Sequence, residues 1–137
     1  MSVIYTDITL VNTGDATNVR RGLIKEPEVR QITVKALVDT GAWTLVINEA
    51  VRVQLGLAVI ESSEVDVAGG ITEKCSVTEP VTIRWKDRET ECRAVVLPHE
   101  EDVLLGAYPL EGMDLTINPK REEVTGAHGD KIARMVK

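Results

Sequence analysis

The segment VKALVDTGAWTLVI, Val34 to Ile47, sets Asp39, Thr40 and Gly41 into an otherwise apolar, β-branched run. A buried strand has no use for an ionised carboxylate between Val38 and Leu45-Val46-Ile47, because burying an unpaired charge is costly. Two explanations stand at this point. Asp39 caps a solvated turn, or it is placed there to move protons. Two carboxyl groups a few ångströms apart can act as base and acid at once, since they cannot both stay ionised and one keeps a proton.

The chain supplies Asp-Thr-Gly once. A near copy, LVNTGDA at Leu10–Ala16, has Asn12 where the aspartate would stand. An amide is no general base, so that segment reads as a polar turn. If Asp39 works as one of such a pair, the second carboxylate would come from another copy of the chain, in a two-fold homodimer whose Asp39 residues meet on the axis. Other chemistry has little to stand on. Cys75 and Cys92 are too far apart for a CxxC half-site, and read as half-buried thiols on neighbouring strands. His99 and His128 are solitary, so no metal is expected.

The elements that must position Asp39 are mostly strands. VIYTDITLVN (Val3–Asn12) alternates as a strand does, NTGDATN is turn chemistry, and RRGLI reads as a short further strand before Pro27. EVRQITVKALVD (Glu28–Asp39) alternates and then turns wholly apolar, like a strand entering a buried centre. TLVI follows the turn as another. NEAVRVQLGL carries a helix signal: Asn48 as cap, Glu49 at the positive end, Val51 and Leu55 on one face, Gly56 as stop. LAVIESSEVDV and KCSVTEPVTIRW form a long hairpin turning at AGGITE. TECRAVVLP and VLLG are strands, AYPLEGM is about one helical turn, DLTINP and REEVTG look like closing strands, and DKIARMVK reads as a frayed helix.

LVDTGAWT (Leu37–Thr44) resembles the active-site segment of retropepsin-like aspartic proteases: apolar pair, Asp-Thr-Gly, Ala. The order of the other parts strengthens the likeness. VAGGIT follows at flap distance, VLLGAYPL supplies the apolar pair, glycine and short helix, and the helix after the motif is closer to bacterial and archaeal single-domain members. The resemblance runs from about Ile32 to Asn118. It implies an all-β fold, one half of an acid protease built as a closed β-barrel. One short helix would follow the catalytic turn and another would lie near the C-terminus. Residues 1–137 read as a single domain, with its core over about 28–118 and an extension over 119–137.

What the resemblance implies for function is hydrolysis of an extended polypeptide by a water held between two Asp39 carboxylates, with no cofactor. Thr40 would hydrogen-bond across the dimer, the Gly41 carbonyl would accept from substrate, and Ala42 would pack behind the loop. Leu104, Leu105 and Gly106 would support the turn from beneath. Ala68, Gly69 and Gly70 would form the flap tip, unless they make a plain hairpin turn. Viral members usually carry acidic residues just after Asp-Thr-Gly-Ala, where this chain has Trp43 and Thr44. Trp43 would line a subsite or fill the core, and core is the ordinary place for a lone aromatic.

Composition sets the outer bounds. Lys and Arg number 16 against 22 Asp and Glu, a formal charge of −6. With Arg20-Arg21 and Lys120-Arg121 diluted by acids, no phosphate-tracking stripe forms and nucleic acid is not an expected partner. No apolar run approaches the ~20 residues of a membrane span, and the start MSVIYTDITL carries no targeting signal, so the expected location is cytoplasmic and no membrane is an expected partner. Two rivals keep their place: a dimeric module that binds peptide without cutting it, and a monomeric β-domain in which Asp39 only caps a turn.

Overall fold

The computed structural model describes residues 3–67 and 69–128. Ala68 and the expected helix at 130–137 lie outside the described residues. The elements, in chain order, are β1 (Tyr5–Asn12), α1 (Thr13–Arg20), a 3-10 turn (Glu26–Glu28), β2 (Gln31–Val38), β3 (Leu45–Ile47) and α2 (Glu49–Leu55). There follow β4 (Val59–Val67), β5 (Ile71–Trp85), β6 (Arg88–Val96), β7 (Val103–Leu105), α3 (Ala107–Gly112), β8 (Leu115–Asn118) and β9 (Glu123–Gly126).

Six strands close on themselves in the order β1-β2-β7-β3-β6-β5, and β5 returns to β1 from Thr9↔Arg84 to Asn12↔Val81. β4 stands outside this barrel, paired with β5 alone. The fold is the mostly-β closed barrel of retropepsin-like proteins. All six barrel strands send fully buried side chains inward: Ile8 and Leu10, Ala36, Leu45 and Ile47, Leu105, Ala94, and Val81 with Ile83. Leu55, Leu57 and Met113 join the same cluster. Each fully buried Leu or Ile contributes roughly 1.5–3 kcal/mol. An exposed pair such as Arg84–Glu89, 3.5 Å apart, is worth at most about 1 kcal/mol. The aliphatic interior holds the barrel.

α2 forms as its sequence demands. The Asn48 side chain accepts from the Val51 amide at 2.9 Å, Val51 and Leu55 are buried, and Gly56 closes the helix at φ +64°. Only a residue without Cβ takes that left-handed conformation cheaply.

The stretch after Asn12 differs from expectation. Residues 13–20 are helix rather than turn, and no strand follows at Arg20–Ile24. Asn12 is the reason. Its side-chain oxygen caps α1 by accepting from the Asp15 amide at 3.0 Å, and its Nδ2 donates to the Leu55 carbonyl at 2.9 Å. Buried Asp15 then receives Arg30 Nε at 2.8 Å, Nη2 at 2.9 Å and the Arg30 backbone amide at 3.0 Å. These side-chain bonds to Arg30 hold the Asp15 carboxyl below its usual range. A cap and a bidentate ion pair thus make a helix from residues of modest propensity.

β8 and β9 pair with each other and form a separate two-stranded ribbon rather than closing the barrel. Leu115, Ile117 and Val124 still pack against the main core. Arg88 fastens this ribbon to the β5–β6 turn. It is buried, and its Nη1 donates to the carbonyls of Met113 at 3.1 Å and Asp114 at 2.6 Å. Cys75 and Cys92 sit on the adjacent strands β5 and β6 as free thiols, one buried and one half-buried. Burial pushes both thiols up, away from reactive thiolate.

Candidate active site

Two pairings of β7 shape the site, one parallel and one antiparallel. β7 lies beside β2 with Ala36↔Val103, Leu37↔Leu104 and Val38↔Leu105, and beside β3, antiparallel, with Leu45↔Leu105. The chain leaving β2 must therefore cross the end of β7 to reach β3, and residues 39–44 make that crossing. Leu105 is wholly buried and Leu104 nearly so, directly beneath the crossing.

The turn is fixed from within and from below. The Asp39 amide donates to the Leu105 carbonyl at 3.0 Å, and the Asp39 carbonyl accepts from Ala42 at 3.1 Å. The Gly41 amide donates to Asp39 Oδ1 at 3.0 Å, which leaves Oδ2 without a partner among the described residues. A Cβ at Gly41 would stand 3.2 Å from the same Oδ1, so a side chain there would press on the carboxylate. Thr44 Oγ1 donates to the Arg93 carbonyl at 3.1 Å and ties the far end of the turn to β6. Asp39 and Ala42 are half-buried, whereas Thr40 and Gly41 are exposed. The Thr40 hydroxyl has no partner among the described residues.

Gly106 packs tightly against the turn. A Cβ there would collide with the Thr44 carbonyl and lie 2.7 Å from the Ala42 carbonyl. The next two amides continue the attachment: Ala107 donates to Ala42 O and Tyr108 to Trp43 O, each at 2.9 Å.

Trp43 is not core. It is 74% exposed, and its ring lies 5.7 Å from that of Tyr108. The turn lifts residue 43 off the barrel because its carbonyl is engaged by α3, so there is no interior for the indole to fill. Tyr108 itself was not singled out from sequence. The available signal was its place two residues beyond Gly106, at the start of the helix that grips the turn.

The β4–β5 hairpin runs in register from Ser62↔Ser76 to Val67↔Ile71. Gly69 and Gly70 have φ of +90° and +72°, and a Cβ at either would meet nothing within 4 Å. Ile71, beside the tip, is 64% exposed. A cavity of about 470 Å³ lies at the hairpin's base against Glu49, Lys74, Cys75, Val96 and Pro98, away from the Asp39 turn. Among the described residues no three His, Cys, Asp or Glu side chains gather as metal ligands do. No helix there is long and apolar enough to cross a membrane.

The profile of the family described as "Aspartyl protease" matches residues 26–108, which contain β2, the Asp39 turn, the hairpin and β7. The chain belongs to the aspartyl protease family. Solved structures share the fold of this aspartyl protease family member. The retroviral protease-like domain of Ddi1 from Leishmania major is 17% identical, with a TM-score of 0.57 over 91% of this chain and 88% of that one. EIAV protease, complexed with the inhibitor HBY-793, is 24% identical, with a TM-score of 0.54 over 80% and 86%. No curated protein gives a match.

Proposed function

We propose that this chain is an aspartic endopeptidase that works as a two-fold homodimer, with Asp39 of each copy forming the catalytic pair. The observation that carries this is the Asp39 turn itself. The Asp39 backbone amide is held by the Leu105 carbonyl below, and its half-buried carboxylate accepts from the Gly41 amide beside it, with one oxygen unengaged among the described residues. A turn cap needs no such bracing from a second strand. Family membership and the barrel's likeness to EIAV protease support the same reading.

In the pair, one carboxylate takes a proton from water while the protonated partner donates to the carbonyl oxygen of the peptide bond. The resulting tetrahedral diol collapses as the amide nitrogen is protonated, which releases an amine and a carboxylic acid. Sharing one proton between two such carboxyls is the established behaviour of aspartic-protease dyads, and the protons belong to the pair rather than to either residue. Thr40 is the side chain for a contact between the two turns. The Gly41 carbonyl offers the extended substrate an acceptor. Ala42 backs the turn, and the hairpin tip at Gly69 and Gly70 serves as a flap that excludes water. Free Cys75 and Cys92 suit a reducing, cytoplasmic location.

A second reading is a dimeric peptide-binding module without turnover. The exposed Trp43 beside the turn favours it, since large aromatics serve binding surfaces well. Incubating an unstructured protein such as casein with wild type and with Asp39→Asn separates the two. Cleavage by wild type alone supports the enzyme, and cleavage by both removes Asp39 from the chemistry.

A further inference from the structure

The chain has four aromatic residues, two Trp and two Tyr. Two of them, buried Trp85 and exposed Tyr5, lie on barrel strands and have polar partners. Trp85 Nε1 donates to Thr6 Oγ1 at 2.8 Å, and the Tyr5 hydroxyl to Asp102 at 3.4 Å. The other two, Trp43 and Tyr108, meet on the surface beside the Asp39 turn, their planes inclined by 44°. Among the described residues neither the indole N–H nor the Tyr108 hydroxyl has a hydrogen-bond partner.

This pair is mounted firmly. The bonds from Ala107 to Ala42 and from Tyr108 to Trp43 join the start of α3 to the turn residue by residue. The Gly41 carbonyl and the Trp43 amide, between Asp39 and the rings, have no partner among the described residues. A strip of unsatisfied main chain therefore leads from the carboxylate to an aromatic surface. An extended polypeptide can bond to such a strip, with alternate side chains directed at the protein.

The size of the surface limits what it takes. With Trp43 74% and Tyr108 46% exposed, the rings offer roughly 250–300 Å², about what one large apolar side chain covers. A specific interface between folded chains buries at least ~1,000 Å², so this pair alone does not make one.

We propose that Trp43 and Tyr108 set the specificity of the Asp39 site, by receiving an aromatic or large aliphatic side chain of the bound polypeptide a few residues from the peptide bond over the carboxylates. The proposal rests on the reading of the site as a peptide-handling homodimer. By two-fold symmetry the second copy carries the same platform on the other flank. Polypeptides with such residues on both sides of the site bind best.

The test separates binding from turnover. A single Phe is walked along a short, fluorescently tagged Ala- and Ser-rich peptide, and affinity for the Asp39→Asn protein is read by anisotropy. Phe at one or two positions should tighten binding by about 10-fold or more. That gain should vanish with Trp43→Ala and shrink with Tyr108→Ala, while sedimentation is unchanged. A Phe gain that survives Trp43→Ala overturns the proposal, and so does absence of any peptide binding. So too does loss of the dimer in Trp43→Ala, because the rings would then belong to the subunit contact. Wild type that discriminates these peptides but cuts none fails as an enzyme and retains the platform. Wild type that cuts them without regard to Phe loses the platform and remains an enzyme.

Discussion

The Asp39 amide and the Leu105 carbonyl are 3.0 Å apart, and this bond joins the turn that carries the carboxylate to the last residue of the buried strand β7. Leu105 is fully buried and is registered against both Val38 and Leu45. The position of Asp39 is thereby set by the barrel interior rather than by the turn alone. A site built on core strands holds its geometry better than one on a free loop.

Gly106→Ala tests that coupling. The glycine has an ordinary φ of −85°, so the penalty comes from space alone: the new methyl meets the Thr44 and Ala42 carbonyls. Overpacking of this kind costs about 1–3 kcal/mol. The urea midpoint should fall accordingly, and any Asp39-dependent activity should fall further than stability, because the turn is what must move. An unchanged midpoint would show that the crossing is not tightly packed.

Asp15 and Arg30 give a prediction in pH. Arg30 lowers the Asp15 carboxyl, so the folded state binds that proton more weakly than the unfolded chain does. The stabilisation is therefore complete above the ordinary carboxylate range near ~4 and is lost as pH falls through the depressed folded value. Asp15→Asn should cost ~1–3 kcal/mol at neutral pH. Denaturation curves of the two proteins should converge on acidification below the ordinary carboxylate range. A gap that is constant with pH would assign the cost to packing rather than to charge.

Much of this architecture is legible in the chain because local and tertiary signals agree there. Asn48 and Gly56 bracket α2, β-branched alternation marks β1 and β2, and paired glycines mark the hairpin turn. α1 was not legible, since Asn12 caps it and Asp15 holds it through Arg30, fifteen positions away. No reading of TGDATNVR alone supplies that partner. Trp43 misled for a related reason. A lone aromatic ordinarily belongs inside, and only the grip of α3 on the Trp43 carbonyl shows that residue 43 stands off the barrel.

If the β4–β5 hairpin closes over substrate, its glycines should govern turnover without governing folding. Both have positive φ and open space around them. Gly69→Val and Gly70→Val therefore strain the tip locally, at about 1–2 kcal/mol each, and disturb no packing. Peptide turnover should drop while the barrel's core amides keep their hydrogen-exchange protection. Unchanged kinetics would make the hairpin an ordinary turn.

A site shared between copies should dilute away. One chain supplies one Asp39, so specific activity should fall as protein concentration drops below the dimer dissociation constant, following mass action. Activity per chain that stays constant while sedimentation shows monomer would end the two-copy reading.

Asp39→Asn carries the last prediction, and assembly tests it as sharply as catalysis does. In the single chain the Asp39 carboxyl group stands half-buried on the turn. Bringing two together without a proton sets like charges side by side, so association is favoured when the pair takes up one proton. If two copies pair through Asp39, proton uptake on association should make the wild-type dimer strongest in acid and weaken it as pH rises. Asparagine removes both charges, fits the same turn and still accepts from the Gly41 amide. The variant dimer should therefore be at least as tight as wild type at neutral pH and should lose most of the pH dependence, as read by sedimentation across pH 5 to 8. Its peptidase activity should fall at least ~10²–10⁴-fold, the scale of losing a central acid–base group. A variant dimer with the same pH slope as wild type would place the two Asp39 side chains apart, and with them the catalytic pair would be gone.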